Sequence, residues 1–326
     1  MSGKYPITAL AGHFAGQIDL LICSASYEER CKVVADAISP ASVQSVLVCE
    51  NRDLIEVVGG SSQYLQQRFS SVARAVSLHS KKPLQTADAF SSSLDLAIHS
   101  KTQTIVVDIT TFTREALLIL LSLLRSKASS NVTVHLVYVA AGDYSVGDAG
   151  KDKWLSTGVE SIRSVLGYSG DLVPSRKTHL IVLAGFERKR AEEVIKNYEA
   201  SIVSVGFGSK EESISAEHHE VNCAFYQEII DLYGNVNEFD FSLIDPSNTK
   251  DSVKKQIMKY PDLNVVIAPL NNKISTLGVA YVAFDNPSVQ LCYAQPSRYN
   301  FANYSIPGDA FYSFRMPSIF PNSETN

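Results

Sequence analysis

The feature that most constrains the fold is the joint formed by residues 105–124. The β-branched run Ile105-Val-Val ends at Asp108, and a threonine-rich turn then leads into the longer apolar run Ala116–Leu124. A short apolar run, a turn and a longer apolar run are typical of a strand, a loop and a helix in an α/β domain. The turn contains no glycine. This excludes a Walker phosphate loop and a dinucleotide-binding fingerprint at this position.

Strand and helix patterns alternate along the rest of the chain. The first run of alternation is followed by a predicted helix over Lys153–Leu166 and by a linker rich in Gly, Ser and Pro at 167–177, after which the pattern restarts at His179. Such alternation is typical of parallel sheets with right-handed crossovers. We therefore expect an α/β fold with two tandem Rossmann-like parallel-sheet units, residues 1–170 and 171–326.

Matched residues indicate that the two halves arose by internal duplication. The matched pairs are Arg30 with Arg190, Tyr138 with Tyr293, and Tyr144 with Tyr299. The arginines are 160 positions apart and each tyrosine pair is 155 positions apart. Ordered matches at a nearly constant spacing are the mark of a repeat. We expect the two units to form an intramolecular pseudo-dimer.

The composition is that of an ordinary globular protein. Hydrophobic residues make up 45%, charged residues 19%, and the net charge is −5, which argues against a general DNA-binding surface because such a surface needs a basic stripe. The longest apolar stretch, Ala116–Leu124, is shorter than the about 20 residues that a membrane-spanning helix needs. The N-terminus has no signal-peptide pattern, so we expect a cytoplasmic protein without membrane partners.

Motifs for catalysis and metal binding are missing from the sequence. It contains no Gly-x-Ser-x-Gly elbow, His-Glu-x-x-His, Cys-x-x-Cys or Walker motif. Its cysteines are odd in number and widely spaced, which indicates reduced core thiols. These are Cys23, Cys31, Cys49, Cys223 and Cys292. We expect no catalytic residue, no metal and no cofactor.

Candidate ligand-binding residues follow the predicted strands, because ligands of open α/β sheets collect at the carboxyl ends of the strands. Hydroxyl and basic side chains at a helix N-terminus can contact an anionic group there, and tyrosines can stack on a base. In the first half the candidates are Ser24, Ser26, Arg30, Asp108, Thr110, Thr111, Thr113, Arg114 and Tyr144. In the second half they are Arg190, Asn271, Asn272, Lys273, Arg298 and Tyr299. The alternatives are helix caps for Asp108 and Thr113, pairing with Glu28 and Glu187 for Arg30 and Arg190, a polar turn for the asparagines, and packing for the tyrosines.

The segment Asp108-Ile-Thr110-Thr-Phe-Thr-Arg114 resembles the signature loop of CARF domains. These are Rossmann-like sensors of cyclic oligoadenylates in CRISPR-linked defence, and their loop carries Asp-hydrophobic-Thr, a His-Gly-like pair and a basic residue. Here Thr111 and Phe112 stand where the histidine and glycine would be, and phenylalanine does not allow the close backbone approach that glycine allows. The resemblance implies a nucleotide-type ligand between two such domains.

We therefore expect a non-enzymatic nucleotide-ligand sensor or adaptor subunit of a bacterial antiviral defence system, acting through a separate effector protein. The aromatic tail at 311–314 could contact that effector, or it could pack in the core. One alternative is an enzyme that cleaves or transfers a nucleotide, with Arg114 or Lys273 stabilising charge. Residues Leu263–Tyr293 look like the end of a nucleoside deoxyribosyltransferase domain, although Ala280-Tyr281 occupies the region of its nucleophilic glutamate. The other alternative is a purely structural subunit whose strand-end clefts are filled by side chains.

Overall fold

The computed structural model describes residues 3–14, 16–144, 155–301 and 305–317. Its contacts divide the chain into unit 1, made of Met1–Gly142 with Ile306–Asn326, and unit 2, made of Asp143–Ser305. This division differs from the predicted boundary at residue 170. The difference has two causes. Short strands at 156–164 pair with strands of unit 2, and a C-terminal strand at 305–315 returns to the first sheet.

Unit 1 alternates strands and helices up to its sixth strand. Its elements are β1 Gly3–Pro6, α1 Leu10–His13, β2 Ile18–Ser24, α2 Arg30–Ala37, β3 Val43–Asn51, α3 Ile55–Phe69, β4 Ala73–Leu78, α4 Pro83–Ala97, β5 Thr104–Asp108, α5 Arg114–Lys127 and β6 Thr133–Tyr144. The strands β2 and β5 are apolar and buried almost throughout. Such runs are typical of parallel strands that are covered by helices on both faces.

Unit 2 repeats this alternation after two short strands. Its elements are β7 Ser156–Thr157, β8 Ser161–Ser164, β9 Thr178–Leu183, α6 Arg188–Tyr198, β10 Ile202–Gly208, α7 Ala216–Tyr233, β11 Asn237–Phe241, α8 Pro246–Met258, β12 Asn264–Pro269, α9 Lys273–Asp285, β13 Gln290–Gln295 and β14 Arg298–Tyr299. The last strand of the chain, β15, covers Ser305–Arg315.

The two sheets share a core of five parallel strands in the same order. The first sheet is ordered β1-β15-β6-β5-β2-β3-β4, and the second β11-β10-β9-β12-β13-β8. Counted along each unit, the parallel strands follow the order 3-2-1-4-5, which is the doubly wound Rossmann order without its sixth strand. The predicted α/β class and Rossmann-like sheets are confirmed. The intramolecular pseudo-dimer stays a prediction.

Two segments differ from the sequence prediction. Within the helix predicted over Lys153–Leu166, the described residues form β7 and β8 instead, and β8 pairs antiparallel with β13. Backbone pairing to an existing sheet edge therefore outweighs the local helical pattern. The aromatic tail lies in β15, where Phe311 is fully buried and stacks on Tyr5 at 5.3 Å between ring centroids. Core packing, the alternative to partner binding, is thus the role of this tail.

Among the residues that the structure describes, no helix is both long and apolar enough to cross a membrane. The longest of these helices, α7, has 18 residues and alternates apolar with charged side chains.

Candidate functional site

The predicted strand-loop-helix joint is present at the carboxyl edge of the unit 1 sheet. The strand β5 ends at Asp108, and α5 begins at Arg114. The side chain of Thr113 caps this helix, since its Oγ1 accepts a hydrogen bond of 3.2 Å from the Ala116 backbone N–H. The capping role is therefore correct for Thr113. Asp108 does not cap the helix, because its carboxylate accepts from the backbone N–H and the hydroxyl of Thr110, at 3.0 and 2.5 Å.

Asp108 is a buried carboxyl group with a perturbed titration. Its side chain is 2% exposed. Burial raises the pKa of Asp108 to about 6, because it disfavours the charged form, while the Thr110 hydrogen bonds and the positive charge of Arg30 act in the opposite direction. This carboxyl therefore changes charge close to neutral pH.

Arg30 and Thr110 connect α2, β5 and β6 inside unit 1. The hydroxyl of Thr110 also accepts a hydrogen bond of 3.0 Å from the Val139 backbone N–H. Arg30 donates to the Val139 carbonyl at 3.1 Å and to the Glu28 carboxylate at 2.5 Å. Arg30 is 2% exposed. The structure thus gives Arg30, Asp108 and Thr110 internal partners rather than an open position at the edge.

The crevice where the strand order reverses lies between the end of β2 and the turn after β5. A hydrogen bond of 2.8 Å from the Thr111 hydroxyl to the Ser24 carbonyl spans it. Ser26 is buried, and its hydroxyl accepts from the Glu28 backbone N–H at 3.2 Å. Around this crevice Thr111, Thr113 and Arg114 are the partly exposed candidates.

Phe112 explains the departure from the CARF-like loop. Its side chain is 1% exposed and lies 6.3 Å from the ring of Phe90, measured between centroids. The turn therefore directs a large apolar side chain into the core at the position where the resembling loops have glycine. Packing of the Phe112 ring against Phe90 thereby holds the backbone of this turn against the core.

The equivalent crevice in unit 2 is bridged more tightly. The Asn271 amide donates to the Ala184 carbonyl at 2.5 Å. A methyl group on Gly185 would lie 2.5 Å from the Leu270 carbonyl oxygen, so only glycine permits this approach of the two turns. Asn272 caps α9 by accepting from the Ser275 N–H at 2.8 Å. The polar turn and cap, the alternative for the two asparagines, is therefore their observed role.

The remaining basic candidates of unit 2 lie in different elements. Arg190 is buried against Glu187 and donates to the Ala294 carbonyl. Lys273 is the first residue of α9 and is partly exposed. Arg298 lies in β14, which pairs with β7. Arg190 thus has internal partners, while Lys273 and Arg298 are contributed by α9 and β14.

The residue pairs that predicted a duplication match in position in one case and differ in another. Arg30 and Arg190 occupy the same place, since their guanidinium groups lie 5.8 and 5.9 Å from the rings of Tyr138 and Tyr293. Tyr144 and Tyr299 do not match. Tyr144 ends the long strand β6 and packs near Phe186 and His218, whereas Tyr299 lies in β14 near Phe301. Pro296 separates β13 from β14, and proline cannot continue the ladder of hydrogen bonds.

Sequence reasoning missed one buried polar group, His218 at the start of α7. The hydroxyl of the helix cap Ser215 lies 2.6 Å from Nδ1 of His218, and a carboxylate oxygen of Asp143 lies 3.3 Å from Nε2. The spacing Ser-x-x-His at a helix start could have indicated the first contact. The contact with Asp143 joins residues far apart in the chain, and no local pattern indicates it.

Within the described parts of the chain, no three His, Cys, Asp or Glu side chains converge as metal ligands would. The partly exposed candidates at this edge of unit 1 are Thr111, Thr113 and Arg114, which offer hydroxyls and a guanidinium, whereas the carboxyl groups of Asp108 and Glu115 are buried. Hydroxyl and guanidinium groups bind anions through hydrogen bonds and charge.

Comparisons with known proteins show only distant similarity. No protein-family model matches the chain, and no curated protein matches it. The mitomycin 7-O-methyltransferase MmcR is similar over 41% of this chain and 36% of its own length, at 8% identity and a TM-score of 0.25. The cytoplasmic domain of a prokaryotic cation chloride cotransporter is similar over 88% of this chain and 99% of its own length, at 9% identity and a TM-score of 0.25. The phosphoethanolamine N-methyltransferase 1 of Haemonchus contortus is similar over 80% and 72%, at 9% identity and a TM-score of 0.26. Scores of this size carry no functional argument, and the fold class follows from the observed strand order.

Proposed function

We propose that this protein is a non-enzymatic sensor or adaptor that binds a nucleotide-type anion at the carboxyl edge of unit 1. Its output passes through a separate effector protein. The assignment to bacterial antiviral defence rests on the resemblance of the 108–114 loop to CARF loops. The cytoplasm is the compartment in which such a ligand and effector would meet.

One observation carries the proposal, the position of Arg114 at the N-terminus of α5. This helix has 14 residues, and its first turn lies beside the β2–β5 crevice, where strand order reverses. A helix N-terminus attracts negative charge, and a guanidinium adds bidentate hydrogen bonds to phosphate. The Thr113 hydroxyl beside it accepts from the Ala116 N–H and keeps a hydrogen to donate, whereas the Thr111 hydroxyl donates to Ser24. This combination of groups suits a phosphate better than a neutral ligand.

Calorimetric titration with cyclic tetraadenylate, and with its linear form, tests the proposal. We expect Arg114→Ala to weaken binding by roughly 1.5–3 kcal/mol, the usual contribution of a charge-assisted hydrogen bond. The matched control is Arg125→Ala, which removes an arginine from the last turn of the same helix. Equal affinity in Arg114→Ala and wild type would remove Arg114 from the site.

Recovery of the nucleotide after incubation separates a sensor from an enzyme. We expect chromatography to return the nucleotide unchanged. Turnover that disappears in Asp108→Ala or Lys273→Ala would instead favour the enzyme that cleaves or transfers a nucleotide.

A structural subunit is the second candidate, and the bridged crevices favour it. Thr111 donates to the carbonyl of Ser24, and Asn271 donates to that of Ala184, so protein side chains occupy part of each crevice. Failure of every nucleotide to bind the wild-type protein would support this second function over the first.

A further inference from the structure

The strand β4 ends the unit 1 sheet on the side opposite β1. It pairs in parallel with β3, from Ala73 opposite Val46 to Leu78 opposite Asn51. Among the described residues, no strand lies on its other side. An open edge of this kind presents backbone N–H and C=O groups that can pair with an added strand.

The sheet surface at β4 is only partly covered on the side of α3. Residues paired across parallel strands share a face, so Ala75 lies on the same face as Val48, and Ser77 on the same face as Glu50. Val48 belongs to the core that includes Leu65 of α3. Ala75 and Ser77 are nevertheless exposed. The helix therefore covers β3 and leaves space above the edge strand.

A groove of about 550 Å³ lies along α3 and reaches Glu50, the β3 residue that pairs with Ser77 of β4. Its polar lining consists of Glu50, Ser62, Gln63, Gln66, Gln67 and Ser70. The other side of α3 contacts α2, through a hydrogen bond of 2.6 Å from Tyr64 to Asp36 and one of 3.3 Å from Arg68 to the Ala35 carbonyl. The groove thus faces away from α2, toward the open edge of β4.

The carboxylate of Glu50 in the groove lining is already engaged by neighbouring side chains. One carboxylate oxygen of Glu50 accepts from Arg52 at 3.0 Å, and the other accepts from Ser62 at 2.6 Å. The remaining polar groups are amides and hydroxyls. Ile55 and Gly59 complete the lining, so a side chain that joins an apolar stem to an amide or hydroxyl group fits the groove.

The other face of β4 carries a positive charge. Arg74 is exposed, and within the part of the chain that the structure describes it makes no ion pair. Side chains of a strand alternate between the two faces of a sheet. An added strand would therefore direct one set of side chains into the groove and the other set toward Arg74.

We infer that the β4 edge is a docking site for an extended segment of a partner protein. The segment has about six residues, with amide or hydroxyl side chains on one face and carboxylates on the other, because these complement the groove and Arg74. The inference goes beyond nucleotide binding, and it rests on the proposed function only in requiring a separate partner protein.

A second copy of this chain complements the edge less well. Its β4 would offer Ala75 and Ser77, which are too small to fill the groove, and a second Arg74, which carries the same charge. Side-chain size and charge both favour a different polypeptide as the occupant.

Two synthetic octapeptides test the inference with the full-length protein. The first alternates Glu with Gln and Thr, and the second replaces every Glu by Lys. We expect the acidic peptide to bind by fluorescence anisotropy and to slow hydrogen exchange of amides in Ala73–Leu78 by roughly tenfold. An acidic peptide N-methylated at alternate residues keeps the charges and loses backbone pairing, so it should not bind.

Two variants test which face of the bound segment contacts Arg74 and which contacts the groove. We expect Arg74→Glu to weaken binding of the acidic peptide by about two- to fivefold, as for loss of an exposed ion pair. The same variant should bind the basic peptide more tightly than the wild type does. Gln63→Trp fills the groove and should prevent binding. The control Arg176→Glu reverses an exposed charge in unit 2 and should leave both affinities unchanged.

Three outcomes would overturn the inference. These are unchanged exchange in β4 with every peptide, equal binding of the N-methylated peptide, and a dimer that protects β4 without any peptide. The third would make a second copy the occupant. Nucleotide titration of Arg74→Glu is a separate measurement, so failure of the ligand site and failure of this docking site can be distinguished.

Discussion

The guanidinium of Arg30 lies 5.8 Å from the centre of the Tyr138 ring and donates to the carbonyl of the next residue, Val139. Arg190 has the same relationship to Tyr293 and to the carbonyl of Ala294. In each unit one arginine thereby fixes the first helix after the central strand to the last parallel strand. This contact is the most specific structural similarity between the two halves.

Removal of Arg30 should strongly destabilise unit 1. Glu28 is 7% exposed, and Arg30→Met would leave its carboxylate buried without the arginine. We expect a loss of about 3–5 kcal/mol in the free energy of unfolding, measured in urea. The control Lys32→Met removes an exposed partner of Glu29 on the same helix and should cost less than about 1 kcal/mol. Unchanged stability of Arg30→Met would contradict the assigned role, and Glu28→Gln added to it should recover part of the loss.

The buried carboxyl of Asp108 should make stability depend on pH. Its pKa in the folded state is about 6, above the ordinary value of 3.8, so the folded state binds the proton more tightly. The contribution of Asp108 to stability is therefore largest below pH 3.8 and is lost as the pH rises through about 6, by at most about 3 kcal/mol.

Asp108→Asn should remove this dependence, because the amide oxygen can still accept from Thr110 and does not titrate. Thermal unfolding between pH 4 and 7 measures it, with Asp88→Asn, an exposed carboxyl on α4, as the control. Parallel unfolding profiles for wild type and Asp108→Asn would show that the carboxyl is not perturbed.

Two helical glycines should respond in opposite directions to alanine. A methyl group on Gly60 in α3 would have no heavy atom within 4 Å, so Gly60→Ala should gain about 0.5–1 kcal/mol from helix propensity. A methyl group on Gly278 in α9 would lie 2.6 Å from Cβ of Thr249. We expect Gly278→Ala to cost about 1–3 kcal/mol despite the same propensity gain. Denaturant unfolding measures both, and a gain in each variant would mean that α8 and α9 pack less closely than the structure shows.

One cysteine should react first with iodoacetamide in the native protein. Cys23, Cys31, Cys49 and Cys292 are at most 1% exposed, whereas Cys223 is partly exposed and lies 3.2 Å from Nε2 of His219. Burial raises the pKa of Cys31 and of Cys292 to about 11, which further slows their reaction. Mass spectrometry should find one fast alkylation per chain, absent from Cys223→Ser. Fast labelling of Cys292 would show that unit 2 opens readily.

The sequence predicts those parts of the fold that depend on local patterns. Central strands such as β5 have continuous apolar runs, and the caps Thr113 and Asn272 lie next to the helices that they start. The strand β8 is four residues long and half-buried throughout, and only its pairing with β13 makes it a strand. Short edge strands of this kind lack a hydrophobic period that could indicate them.

The sequence indicates where the candidate residues lie along the strands, but it does not indicate which of their side chains are accessible. These residues follow the strands that end at the expected edge of each sheet. Contacts between distant positions then decide which side chains are accessible, as for Arg30 with Val139 and Thr111 with Ser24, which are 109 and 87 positions apart. The sequence contains no local signal for such pairings.

The position of β15 affects the order in which the two units can mature during synthesis. This strand lies between β1 and β6 in the first sheet, yet it follows all of unit 2 in the chain. Domains generally fold as their residues leave the ribosome, from the N-terminus onward. Here the second sheet can be completed while the first still lacks an internal strand and exposes β6 as a temporary edge. The domain that is begun first is therefore the last to close.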